Sequence, residues 1–132
     1  MALANGCFDV LHVGHVRLLA DARRHCDILV VALNSDESTR ASKGPSRPLM
    51  PLGERLELVA ALAGVDYVTS FGEPTADAIL RALRPDLLVK GTDRTPDDIP
   101  ERDTLAACGG SVLICGDPKA HSSSELIRRL GG

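Results

Sequence analysis

The chain has 132 residues, 44% of them hydrophobic and 25% charged, with a formal net charge of −3. It is long enough to bury a core without disulfides or metals, and its slightly acidic balance gives no general pull toward nucleic acid or anionic membrane, so any anion site must be local. One Tyr, two Phe and no Trp exclude base-stacking platforms as an expectation, and neither a membrane-length apolar run nor a signal peptide is read. No nucleic-acid or membrane partner is therefore expected, and a cytoplasmic location is.

In chain order, "MALA" reads as a short first strand. Residues 14–25 follow as a helix, with Val16, Leu19 and Ala20 inward and Arg17, Asp21 and Arg24 outward. The continuous apolar run "DILVVALN" suits a strand buried on both faces. The polar stretch "SDESTRASKGPSRPLMP" reads as a loop too long for a simple connection, and such loops are usually functional. "LGERLELVAALAG" predicts a helix with Leu56, Val59, Ala60 and Ala63 inward, Pro51 near its start and Gly64 at its end.

"DYVTSF" is strand-like, and "TADAILRALR" is a helix with Ala76, Ile79, Leu80 and Leu83 inward, stopped by Pro85. "DLLVK" is a fourth strand, followed by the polar loop "GTDRTPDDIP" and a weak helix, "ERDTLAACGG". "SVLIC" and "SSSELIRRL" supply the fifth strand and the closing helix. Five strands alternating with helices predict an α/β fold, a doubly wound five-stranded parallel sheet. Ligands bind such sheets outside the carboxyl ends of the strands. That edge collects His12, His15, Lys43, Asp93 and the serine cluster. Cys7, Cys26, Cys108 and Cys115 match no zinc spacing. Cys26 and Cys115 are expected as small core residues, and Cys7 is not expected to be a nucleophile.

The opening stretch "NGCFDVLHVGH" starts like a hairpin turn but runs into a helix. His12 and His15 are three apart and so face the same way at a helix start. Free N–H groups and partial positive charge make that end an anion site, and Gly14 lets a phosphate approach the backbone. Two imidazoles, neutral or charged, can donate to phosphate oxygens. A metal site would need ligands at spacings the chain lacks. "HSSSEL" carries a capping box, Ser122 with Glu125, and further hydroxyls at Ser123 and Ser124. Arg128 lies one turn into that helix. Arg55, near a helix start, needs an anionic partner. That partner is either a bound acceptor or Glu54 or Glu57.

The tetrad His12-Val13-Gly14-His15, within "GCFDVLHVGH", resembles the signature of the HxGH nucleotidylyltransferases, the cytidylyltransferase-like superfamily. "LNSDESTRASKGPSRPLMPLGERLELVAAL", "VDYVTSF", "PDLLVKGTD" and "GGSV" are similar to heptose 1-phosphate adenylyltransferase domains, so the likeness spans the chain. The resemblance implies a Rossmann-like fold and a direct reaction. An acceptor oxygen attacks the α-phosphorus of a nucleoside triphosphate and pyrophosphate leaves.

It also implies roles. His12, His15 and Lys43 would be catalytic, Lys43 as part of a cationic lid. Gly6, Cys7, Phe8, Gly14, Lys90, Gly91, Asp93, Ser122, Ser123, Ser124 and Arg128 would bind the nucleotide. Asp9, Lys43 and Arg55 would meet the acceptor, Asp9 alternatively fixing the loop. Mg²⁺ would arrive with the triphosphate, no side chain is assigned as a metal ligand, and a homodimer is implied.

The chain departs from the heptose pattern at two places, Thr92-Asp93-Arg94 in place of Gly-Asp-Tyr, and Ala120-His121-Ser122-Ser123-Ser124 in place of Gly-x-Ser-Thr-Thr. With three lysines against twelve arginines, these departures favour CMP transfer from CTP to a small phosphonate or phosphate-bearing acceptor, as in related natural-product enzymes. AMP transfer from ATP to D-glycero-D-manno-heptose 1-phosphate is the alternative, and a non-catalytic nucleotide-binding module the second. One domain, 1–132, is expected, and its short first strand and "RRLGG" ending suit a piece of a longer chain.

Overall fold

The computed structural model describes residues 1–92, 95 and 98–116. Five strands, β1 (Ala2–Gly6), β2 (Leu29–Asn34), β3 (Tyr67–Phe71), β4 (Leu87–Lys90) and β5 (Ser111–Ile114), form one sheet in the order β3-β2-β1-β4-β5. Every pairing is parallel. The helices are α1 (Val13–Arg23), α2 (Asp36–Lys43), α3 (Leu52–Ala60), α4 (Asp77–Leu83) and α5 (Arg102–Ala107). This is the doubly wound, Rossmann-like α/β fold expected from the alternation. The predicted closing helix lies outside the described residues.

Alternation along the strands sends side chains to two cores. Ala2 and Ala4 of β1 and Leu29, Val31 and Leu33 of β2 join Leu19, Ala22 and Val59 on one face. Leu3, Val30, Ala32 and Leu88 join Ala76, Leu80, Leu105 and Ile99 on the other. Because β1 and β2 are buried on both sides, their sequences read as unbroken apolar runs.

Three expectations need correction. The inward stripe of α1 runs through Leu18, Leu19 and Ala22, while Val16 and Ala20 are exposed. In α3, Val59 and Leu56 face the core, whereas Ala60 and Ala63 are exposed, and the helix ends at Ala60 rather than Gly64. The long loop after β2 is also half helix. Ser35 caps α2 by accepting from the Ser38 amide (3.2 Å), Asp36 and Glu37 sit in the first turn, Arg40 and Lys43 in the last, and Gly44 follows at φ 115°. Those are complete helix signals. They were masked because α2 has a single buried residue, Thr39, and hence no apolar stripe.

Between β1 and β4 the chain reverses its direction of travel across the sheet. The carboxyl ends of these two strands therefore flank the switch point where α/β sheets open a ligand crevice. The next residues along the chain are Cys7 and Gly91.

Candidate active site

The turn after β1 is tightly determined. Phe8 adopts a left-handed backbone (φ 49°), uncommon for an aromatic residue, and its ring is buried. The ring lies over Gly6, where an added Cβ would come within 3.3 Å of it. Phe8 also meets the His15 ring at 5.0 Å between centroids. Any side chain at position 6 would crowd the Phe8 ring, which in turn packs against His15.

His12 is the N-cap of α1. Its Nδ1 accepts the Gly14 amide (3.1 Å), and the His12 amide in turn donates to His15 Nδ1 (3.3 Å). This is the reciprocal logic of a capping box, built from two histidines. The rings stack at 3.9 Å. An imidazole nitrogen that accepts a hydrogen bond holds a lone pair, so both rings carry a proton on Nε2 and are neutral donors. The first turn of α1 has no acidic residue, so the positive end of the helix dipole is not compensated by its own sequence. Neutral Nε2–H donors and a helix N-terminus together suit phosphate oxygens.

Lys43 ends α2 with its side chain exposed, so it stands on a helix terminus rather than within a loop. Lys90 closes β4 and reaches across the switch point. Its Nζ donates to Asn5 Oδ1 (3.4 Å) and lies 3.9 Å from Glu101 Oε1, with only 14% of the side chain exposed. Glu101 also accepts the Ala76 amide at the start of α4 (2.9 Å). Lys90 thus braces the β1–β4 seam. Gly91 is half-buried beside it. Asp93, Ser122, Ser123, Ser124 and Arg128 lie outside the described residues, as does His121.

Two residues expected to meet the acceptor are placed elsewhere. Asp9 is 1% exposed. It accepts from the Leu49 and Met50 amides (2.9 and 3.0 Å) and pairs with Arg47 Nε (2.6 Å). The loop-fixing alternative is the one its contacts match. Arg55 is fully buried and donates to Met50 O (3.0 Å), Cys7 O (2.8 Å), Asn34 O (2.8 Å) and Asp36 Oδ1 (2.6 Å). Burial removes it from direct contact with an acceptor. Its anionic partner is Asp36, neither Glu54 nor Glu57. Asn34 was not picked out as a working residue, and Arg47, considered after Lys43 as a further cation of the loop, is instead the partner of Asp9. The signal for Arg47 was an arginine between two prolines in a polar loop, which a buried carboxylate would explain.

Burial by itself pushes the Asp9 carboxyl up, but the amide hydrogen bonds and the Arg47 guanidinium outweigh it and hold the group below its ordinary value. A lowered folded value means that Asp9 stabilises the fold above the unfolded carboxylate range, about pH 4, and that this stability is lost as pH falls through the folded value. Asp9→Asn is expected to weaken the fold at pH 6 and to flatten its further loss toward pH 3, read by urea unfolding at both pH values. Equal losses in variant and parent would remove Asp9 from the loop's anchoring.

The Cys115 thiol, buried, is pushed up to about 11 by its burial and the Asp21 carboxylate, which leaves it unreactive at neutral pH. Among the described residues, no group of three or more His, Cys, Asp or Glu is placed to hold a metal, and no helix is long and apolar enough to cross a membrane. A cavity of about 770 Å³ is an apolar groove between β3 and α4 lined by Val30, Tyr67, Phe71 and Ile79. It holds none of the motif side chains, so its size says nothing of the chemistry.

This fold, with its histidine-capped helix at the switch point, agrees with the comparisons to known proteins. Residues 3–129 match the cytidylyltransferase-like family model. The chain is 45% identical over 130 residues to the bifunctional protein HldE of Gluconacetobacter diazotrophicus and 46% identical to that of Syntrophotalea carbinolica. The HldE of Shigella sonnei is 43% identical. Each alignment covers 98% of this chain but only 26–27% of the relative, so the chain spans about a quarter of their length. A lipopolysaccharide core biosynthesis protein from Thermoplasma volcanium superposes with a TM-score of 0.70 at 27% identity, over 86% of this chain and 91% of that one. The chain belongs to the cytidylyltransferase-like superfamily of nucleotidylyltransferases.

Proposed function

We propose that the chain transfers AMP from ATP to D-glycero-D-manno-heptose 1-phosphate, releasing pyrophosphate. The observation that carries this reading is identity of 42–46% to HldE proteins over 98% of the chain. The structural relative, a lipopolysaccharide core biosynthesis protein, supports a sugar acceptor, since a lipopolysaccharide core is built of sugars. The departures at residues 92–94 and 120–124 had favoured CTP and a phosphonate. They are local changes, and the relatives weigh against that choice.

In this reading the Nε2–H groups of His12 and His15 donate to the oxygens around the α-phosphorus as charge builds there, helped by the N-terminus of α1. Lys43 supplies a cation to the acceptor phosphate or the leaving pyrophosphate. Gly6, Cys7 and Phe8 present backbone to the nucleotide, and Lys90 keeps the switch point in shape. Magnesium would neutralise charge on the triphosphate, held by phosphate oxygens, because the imidazoles and ammonium at this site are poor ligands for so hard a cation. Catalysis is then positioning and electrostatic stabilisation.

The test is a pyrophosphate-release panel, each nucleoside triphosphate against heptose 1-phosphate, phospho-alcohols and hydroxyalkyl phosphonates. ATP with heptose 1-phosphate is expected to dominate. CTP with a phosphonate as the best pair would reverse the assignment. A folded protein that binds a nucleotide yet releases no pyrophosphate with any pair would be a binding module.

A further inference from the structure

We propose that Glu101 is a positioning residue for the nucleotide, acting through Lys90. The proposal rests on the transferase reading above, because it takes Lys90, besides bracing the seam, as a nucleotide contact. Glu101 stands at the N-cap of α5, 4% exposed, and its side chain does not cap that helix. It reaches toward the end of β4 instead, and its two oxygens have different surroundings. Oε2 accepts the Ala76 amide at the start of α4 (2.9 Å). Oε1 is buried and has no hydrogen-bond partner among the described residues. The Lys90 ammonium lies 3.9 Å from it.

A buried carboxylate oxygen that lacks a hydrogen bond is costly. A pair serving the fold alone would close to about 2.7–2.9 Å, the range of charge-assisted hydrogen bonds. At 3.9 Å Glu101 supplies its field to Lys90 without taking up the ammonium's donors. Only 14% of the Lys90 side chain is exposed. A cation that far from water stays where it is only while a counter-charge offsets its burial. Glu101 is that counter-charge, and without it the ammonium would swing out to solvent.

Strand register says where the ammonium is held. Ala4 pairs with Val89, so Asn5 and Lys90 are neighbours one step further along β1 and β4. Each lies two residues past a member of the core on the α4–α5 face, Leu3 and Leu88, and so points to that face. There Lys90 Nζ donates to Asn5 Oδ1 (3.4 Å). The helix that starts at the two histidines, α1, packs on the opposite face through Leu19 and Ala22. A nucleotide at the switch point thus meets His12 and His15 from one side of the sheet and Lys90 from the other. Glu101 backs the second side, joining the end of β4 to the starts of α4 and α5.

The test is a double-mutant cycle on the Kd for ATP with magnesium, read by calorimetry, using Glu101→Gln, Lys90→Met and the two combined. Glutamine keeps an oxygen for the Ala76 amide and removes the charge. Glu101→Gln is expected to raise Kd by roughly tenfold, the size of one lost hydrogen bond to a charged group. Lys90→Met should do about the same, and the double variant should match Lys90→Met, because Glu101 then has nothing left to position. In turnover, Glu101→Gln should raise KM for ATP and leave KM for the sugar phosphate as it is. Losses that multiply in the double variant would mean that Glu101 does not act through Lys90. An unchanged or lower Kd in either single variant would overturn the proposal.

Urea unfolding separates positioning from folding. Lys90→Met leaves a buried carboxylate without its cation and should lower the midpoint, and adding Glu101→Gln should restore much of it. The double variant is therefore expected to fold better than Lys90→Met and to bind ATP no better. Binding that recovers together with the midpoint would show a structural role only. Where Lys90→Met is too unstable to assay, Glu101→Gln and the double variant carry the comparison, with equal Kd expected. The cycle reads binding rather than chemistry. If no pyrophosphate is released with any pair, the transferase reading falls, and the cycle still decides whether Glu101 acts through Lys90. A parent protein that binds neither ATP nor CTP would overturn both.

Discussion

His15→Ala is expected to lower kcat for pyrophosphate release by a factor on the order of 10² or more, with KM for the triphosphate changed far less. The His15 ring does two jobs at once. Its Nδ1 accepts the His12 amide, and on the proposed reading its Nε2–H donates to the oxygens around the α-phosphorus. The structural job is modest, since losing a cap interaction costs about 1 kcal/mol. Urea unfolding should therefore shift by about that much and no more, so a large activity loss cannot be charged to unfolding. His12→Ala should behave alike, because its Nδ1 caps the Gly14 amide. The two rings stack at 3.9 Å and orient each other. The double variant should accordingly lose about as much kcat as either single one, far less than the product of the two. Independent, multiplying losses would mean that the stack is incidental. Near-normal turnover in His15→Ala would remove the residue from the reaction.

The histidine pair was legible in the sequence because its geometry is local. Three-residue spacing at a helix start fixes which way both side chains face, with no help from the rest of the chain. The strands were legible for a related reason. "DILVVALN" and "DLLVK" are buried on both sides, and only a strand in a covered parallel sheet uses such runs so briefly. What escaped were contacts whose two halves lie far apart in sequence. Asp9 and Arg47 are 38 residues apart and Cys7 and Arg55 are 48 apart. No local pattern marks either as a pair. α2 was missed for the opposite reason, since its caps and charges are all local but it lacks the apolar stripe on which helix recognition leans. The choice of base was argued from departures in two short loops, where a substitution changes specificity less reliably than the remainder of the chain records ancestry, and the HldE relatives weigh toward its alternative.

Arg55→Met is expected to destabilise the fold by about 3–5 kcal/mol, the range for breaking a buried charged network by removing one partner. A single guanidinium serves four acceptors here, three of them carbonyls. Methionine matches the volume and none of the donors, so the Cys7, Asn34 and Met50 carbonyls each lose a hydrogen bond, and carbonyls left unpaired away from water are costly. Asp36 is 39% exposed and can turn to solvent, so it adds less. Domains of this kind hold roughly 5–15 kcal/mol in all, and the variant should sit near the threshold of folding, read as a large fall in urea midpoint. Arg55→Lys separates charge from geometry. It keeps the cation, but a tetrahedral ammonium cannot span acceptors that a planar fork reaches, so it should recover only part of the loss. The same network predicts a functional trace in whatever fraction folds. Arg55 joins the turn after β1 at Cys7 to the end of β2 at Asn34 and the start of α2 at Asp36. Arg55→Lys, assayed below its unfolding temperature, should show raised KM for both triphosphate and acceptor, with kcat less affected. A variant with normal KM for both substrates would show that the clamp stabilises the fold without positioning the site.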